Sequence, residues 1–231
     1  MKFSKLNKLF IRSRIPKKII IKAIYEYIGS KNGLRTVAWK NGITHQGLWY
    51  WVKKFRSFRT TLHSIVAKKG LPETIIVDET EIRTTQGSVY LWFALDPHNK
   101  TLLGFSITRG RSALECLLTF RYWFKCWGTK PHTIITDGGK WYISLRRLGV
   151  RWLVVRGNVR SYIERFIATL KTYRWLHSVL CCTCSIRAVY GSEHLSGFLT
   201  LFMLHYNFLR PHQSLKHPPL SSFLPRRWYE N

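Results

Sequence analysis

Two rhythms of apolar residues divide the chain. In the first third they recur at helical spacing. KKIIIKAIYEYIG (17–29) carries an apolar stripe on a helical repeat, and LRTVAWKNG (34–42) is a short helix ending at an Asn-Gly stop. THQGLWYWVKKF (44–55) follows, with Thr44 placed to cap its start and Trp49, Val52 and Phe55 near one face. KKGLPET (68–74) reads as a linker. From residue 74 the pattern becomes β-rich: IIVDET, VYLWFALD and LLGFSIT are short segments separated by turn signals at Gln86-Gly87 and Asp96-Pro97. A helix is predicted from Ser112 to Trp127, opened by the capping box Ser112-x-x-Glu115. HTIITDGG reads as a strand ending in a glycine turn, WYISLRRLG as a short helix and RWLVV as a fifth strand. SYIERFIATLKTYRW is a helix with Ile163, Phe166, Ile167 and Leu170 on its core side.

The predicted order after residue 74 is β-β-β-α-β-α-β-α, the order of the RNase H-like (integrase-core) α/β fold. There, three antiparallel strands are extended by parallel ones. Ahead of it, the helix, short helix, glycine-containing turn and second helix outline an all-α helix-turn-helix module. Thr44, His45, Gln46 and the Lys53–Lys54 pair would then lie near DNA, the alternative being a basic bundle that reads no specific sequence. The expected organisation is a basic DNA-binding region over 1–70, a catalytic core over 71–180, and a helical, basic tail over 181–231 that completes the core.

Charge sharpens this division. The 231 residues carry 38 Lys and Arg against 11 Asp and Glu, a net charge of +27. Residues 1–70 hold 17 of those basic residues and the single acid Glu26. Such an excess attracts polyanions, nucleic acid above all. The 45% hydrophobic and 15% aromatic content is enough for a real core. No apolar run reaches membrane-spanning length and the N-terminus makes a poor signal peptide, so a cytoplasmic, nucleoid-associated protein without membrane contact is expected. The five cysteines do not suggest a secreted disulfide framework. Cys181 and Cys184, with His177 and His194 nearby, have a zinc-like spacing but no second clean ligand pair, and reduced thiols are the preferred reading.

Negative charge is scarce enough to be informative. Glu73, Asp78, Glu79 and Glu81 crowd around the apolar run Ile75–Val77, and the chain has only three aspartates: Asp78, Asp96 and Asp137. Asp96 precedes Pro97 and reads as a turn former. Asp78 and Asp137 each follow an apolar strand, where a carboxylate is costly unless its charge is compensated. Two such acids in one small domain suggest a shared hard cation such as Mg²⁺. Glu164 is the third candidate. It also fits a capping box with Ser161, but Lys171 lies two helical turns on and projects from the same face. Alternation puts Glu79 and Glu81 opposite Asp78, as salt-bridge partners rather than ligands.

VDETEIR, YLWFALD, ITDGGKWY and IERFIATLK, in that order, resemble the DDE transposases of prokaryotic insertion sequences, nearest to insertion-sequence family six and its archaeal relatives. The similarity covers most of residues 29–215, and HYNFLRPHQSLKHPPLSSF (205–223) resembles the C-terminal signature of integrase-core transposases. The resemblance implies Asp78, Asp137 and Glu164 as catalytic metal-binding acids and Lys171 as the basic residue after the glutamate. The 26 residues between Asp137 and Glu164 are fewer than is usual in such enzymes, and Glu193 is the fallback. It further implies two Mg²⁺ ions (Mn²⁺ an alternative), cleavage at terminal inverted repeats, strand transfer into target DNA, and a homo-oligomer. Lys171, Arg174, Arg210 and His212 would meet DNA phosphates. Two rivals stand beside this reading: an RNase H-like nuclease without strand transfer, and an inactive transposase-derived DNA-binding regulator.

Overall fold

The computed structural model describes residues 9–10, 13–30, 32–84, 87–155, 157, 161–172 and 191–221. Four helices come first: α1 (Lys17–Gly29), α2 (Leu34–Lys40), α3 (His45–Lys54) and, after a 3-10 turn at Phe55–Phe58, α4 (Arg59–Ala67). The turn between α2 and α3 needs Gly42, whose φ is 64°. The Thr44 hydroxyl then accepts the Gly47 N–H at 3.0 Å, satisfying a donor at the start of α3 as its side chain predicts.

β1 (Thr74–Thr84), β2 (Gly87–Leu95) and β3 (Leu102–Thr108) form an antiparallel meander. Helix α5 (Ala113–Trp127) begins at the Ser112–Glu115 capping box, which forms in both directions, and ends at the left-handed Gly128. β4 (Thr133–Thr136) and β5 (Arg151–Val154) add in parallel, joined by a 3-10 segment at Lys140–Leu148 where a short helix is expected. The strand order is β3-β2-β1-β4-β5. This mixed sheet, with its three antiparallel and two parallel members, has the RNase H-like fold. Helices α6 (Ser161–Lys171) and α7 (Gly191–Phe208) complete the described chain.

The two sheet faces are covered differently. On one, Phe93 of β2 meets Phe166 of α6 with ring centroids 5.1 Å apart. On the other, Trp92 meets Tyr142 of the 3-10 segment at 5.9 Å. α7 ties the sheet to the N-terminal helices. Asn207 near its end accepts the Leu102 N–H and donates to the Leu102 carbonyl, at 2.9 and 2.8 Å. Its middle approaches α3 so closely that a Cβ at Gly197 would stand 2.1 Å from the Val52 carbonyl oxygen. The buried residues therefore form one continuous core running from α1 through the sheet to Leu220. Among the described residues no helix is long and apolar enough to cross a membrane.

Candidate active site

The register of β1 against β4 brings two of the three aspartates together. Thr74, Ile75 and Ile76 pair in parallel with Thr133, Ile134 and Ile135, an offset of 59 residues. The same offset sets Asp78 level with Asp137, just past the end of β4. Adjacent strands lie about 4.8 Å apart, so in-register side chains start as neighbours. Asp78 is held at 8% exposure by the apolar strand before it, and its carboxylate accepts the Glu79 N–H at 3.0 Å. Asp137 accepts the Gly139 N–H at 2.9 Å, closing a turn through Gly138. That turn requires glycine: φ of Gly138 is +86°, and a Cβ there would lie 2.8 Å from Val154.

Glu79 joins the pair from the opposite sheet face. One carboxylate oxygen each from Asp78, Glu79 and Asp137 lie within 4.8 Å of one another. β1 runs on to Thr84 while β4 stops at Thr136, so at the level of Asp137 no strand separates the two faces on that side. The Glu79 side chain is only 3% exposed and is held by two groups. The Tyr142 hydroxyl donates to it at 2.5 Å, and Arg111 pairs with it at 3.3 Å. The Arg111 guanidinium in turn lies 3.9 Å from the Trp141 ring centroid. Burial pushes the Glu79 carboxyl up from its usual range; Asp137 adds to the rise, and Tyr142 and Arg111 oppose it. Burial, with the Glu79 charge beside it, holds the Tyr142 phenol well above its ordinary value, so it is a hydrogen-bond donor at neutral pH. Three hard oxygen donors crowded against one another, with one cation in contact, fit a divalent ion such as Mg²⁺ or Mn²⁺.

The other predicted residues fall at several places. Glu164 is exposed on the first turn of α6, outside the carboxylate set, and Lys171 is half-buried in the last turn of that helix. Residues 158–160, which lead into α6, lie outside the described residues. Glu193 sits on α7, where it pairs with Lys53 at 2.5 Å and with Arg56. His45 and Gln46 are exposed at the start of α3. Lys53 also covers the Trp49 ring, and Lys54 lies 4.7 Å from the Trp51 centroid. Arg210 and His212 are half-buried in the segment after α7. Arg174, His177 and the Cys181–Cys184 cluster lie outside the described residues. His194 is stacked on Trp49 at 5.8 Å with its rings nearly parallel. Glu81 accepts the Ser88 hydroxyl, and Asp96 accepts the N–H groups of His98 and Asn99, as a turn former does. Arg111, Tyr142 and Trp141 carry no sequence signal of their own; they are distant in the chain and meet Glu79 only in the fold.

No family model matches the chain. A relative among curated proteins, an uncharacterized protein of Methanocaldococcus jannaschii, is 33% identical over 121 residues. That match covers 50% of this chain and 56% of the relative, so about half of each protein is compared. Among solved structures, the HTLV-2 integrase catalytic core domain in complex with magnesium is 14% identical, with a TM-score of 0.47 over 65% of this chain and 95% of that one. A simian T-cell lymphotropic virus intasome in complex with the PP2A regulatory subunit B56 gamma gives 14% identity and a TM-score of 0.49, over 88% and 75% of the two chains. The catalytic core of BIV integrase gives 14% and 0.43, over 65% and 93%.

Proposed function

We propose that the chain is a DDE-type transposase of an insertion sequence, nearest to family six, that cleaves the ends of its element and joins them to target DNA. The observation that carries this reading is the convergence of Asp78, Glu79 and Asp137 at the β1–β4 junction of an RNase H-like sheet. Asp78 and Asp137 would hold the divalent cation, and Glu79 or Glu164 would supply the third carboxylate. When bound, Mg²⁺ or Mn²⁺ supplies charge stabilisation for phosphoryl transfer and a lowered pKa for the attacking hydroxyl. The chain's own groups do the rest. The stiff apolar strand Ile75–Val77 fixes Asp78, and the Gly138 turn fixes Asp137. Arg111 and Tyr142 orient Glu79 from behind.

In this reading α2 and α3 form a helix-turn-helix. Thr44, His45 and Gln46 stand at the exposed N-terminal end of its second helix, where such modules meet base edges. The net charge of +27 supplies the sequence-independent grip on phosphates. Lys171 and Arg174 extend that grip beyond Glu164, and a homo-oligomer would bridge two element ends.

The test incubates the full chain with labelled end DNA from its own element, target plasmid and Mg²⁺. Joining of the labelled 3′ end to plasmid, abolished in Asp78→Asn and Asp137→Asn with DNA binding retained, is the expected result. Comparing Glu79→Gln with Glu164→Gln identifies the third carboxylate, since its loss alone stops joining. Cleavage with no joined product identifies a nuclease instead, and binding without either reaction an inactive regulator.

A further inference from the structure

A second cluster of ionisable groups lies where α6 faces the segment after α7. It lines a cavity of about 570 Å³ with Lys100, Tyr162, Arg165, Arg210 and His212. Lys100 is the unusual member. It sits in the β2–β3 turn with φ at +58°, a backbone region that favours Gly or Asn, and is only 8% exposed. A buried ammonium in strained backbone is costly unless its charge is used. Among the described residues its contacts are neutral: it donates to the Pro97 carbonyl and stands 3.1 Å from the Tyr162 ring centroid. The one acid of the turn, Asp96, is occupied by the His98 and Asn99 N–H groups and the Asn99 side-chain amide.

The neighbours add charge of the same sign. The Arg165 guanidinium lies 5.1 Å from the same Tyr162 ring and is steadied by the Ser161 carbonyl and hydroxyl at 3.2 and 3.1 Å. Arg210 and His212 line the same cavity from the segment after α7. Their segment is braced by Arg210 N–H to the His205 carbonyl at 2.8 Å and His212 N–H to the His217 carbonyl at 3.1 Å. Among the described residues, no carboxylate pairs with Lys100, Arg165 or Arg210. Burial, then the charges of Lys100, Arg210 and Arg165, pushes the His212 imidazole below its usual value, so three cations from three elements act on one ring.

We propose that this cavity is a built anion site that takes a phosphate group, through charge-assisted hydrogen bonds from Lys100, Arg165 and Arg210. The phosphate is either a DNA backbone phosphate or that of a small free phosphoryl compound. The first source rests on the proposed transposase reading; the anion site itself does not. Because Glu164 and Arg165 are adjacent on α6, a backbone phosphate seated here would fix a strand's register relative to the acids.

The experiment uses the full chain in EDTA, so it needs neither metal nor catalysis and stands or falls apart from the transposase reading. Wild type is compared with Lys100→Asn, which tolerates the positive φ, and with Arg210→Gln. One arm measures inorganic phosphate and pyrophosphate binding by calorimetry. The other measures duplex DNA binding by fluorescence anisotropy across salt concentrations. A backbone source predicts that each variant lowers the slope of log K against log salt by about one, uniformly across sequences. A free phosphoryl source predicts at least tenfold weaker phosphate or pyrophosphate binding with the DNA slope unchanged. Both variants melting like wild type, with wild-type slopes and no loss of phosphate binding, overturns the proposal. If Lys100→Asn does not fold, Arg210→Gln decides alone.

Discussion

Replacing Asp137 with Asn should make the metal-free protein more stable and the metal-loaded protein less so. Its carboxylate has two like-charged neighbours, Asp78 and Glu79, with ligand oxygens within 4.8 Å. At that distance each pair repels by about 0.9 kcal/mol with water-like screening and about 3.5 kcal/mol at an effective dielectric of 20. Asp137 is half-exposed, so the screened end of the range governs. Two pairs then give a net relief of about 2 kcal/mol. The substitution costs little locally, because the Asn side-chain oxygen can still accept the Gly139 N–H that Asp137 holds at 2.9 Å. For a chain of this size, 2 kcal/mol corresponds to a melting temperature higher by about 4–8 °C. Differential scanning calorimetry in EDTA should show that rise. In Mg²⁺ at a hundred times the dissociation constant, wild type should gain about 2.7 kcal/mol and the variant almost nothing, reversing their order. Asp137→Asn no more stable than wild type in EDTA, or gaining as much from Mg²⁺, would refute the reasoning.

Gly197→Ala should destabilise the fold by about 3 kcal/mol or more, because the new methyl meets backbone atoms of Val52 and Lys53 that no rotamer change can move; urea unfolding measures it, and a change under 1 kcal/mol counts against the α3–α7 contact. Glu193→Gln removes the acid that engages Lys53 and Arg56, so DNA should bind more tightly with a steeper salt dependence, and unchanged binding in anisotropy would separate those lysine and arginine side chains from the DNA surface. Burial holds the imidazoles of His63 and His194 down to about 3 and that of His205 to about 4. Their folded values lie below the unfolded value near 6.5, so the unfolded chain binds more protons and stability is lost as pH falls from about 6.5 toward 4. The fully buried His63 alone contributes up to about 1.4 kcal/mol per pH unit. Urea midpoints at pH 7 and pH 5 read the effect, and equal midpoints would contradict it.

The fold was legible where pattern and physics agree. Each apolar run ending in an aspartate is a strand, and the Ser112 box and Thr44 cap form as their side chains require. Helix α4 has no such signal. RTTLHSIVA mixes polar residues into the stripe, and His63 reads as polar although it is fully buried, accepting the Phe105 N–H at 3.4 Å as a neutral imidazole. The proximity of Asp78 and Asp137 follows from strand register, which local patterns cannot supply but which two strand-end aspartates suggest. Glu79 shows the limit of alternation. It does lie on the other face and does pair with Arg111, as a salt-bridge partner should. Its place in the carboxylate cluster depends on β4 being only four residues long, a tertiary fact. The Lys100 cavity is hidden for the same reason: its walls come from a turn, a helix and a segment spread over residues 95–214.

The central claim is that Asp78 and Asp137 share a divalent cation, and anomalous diffraction from a Mn²⁺-soaked crystal of the full chain tests it most directly. The account predicts a manganese peak bonded to both aspartates, with Glu79 or Glu164 as the further carboxylate. Manganese bound elsewhere, with no peak touching either aspartate at saturating concentration, would contradict it.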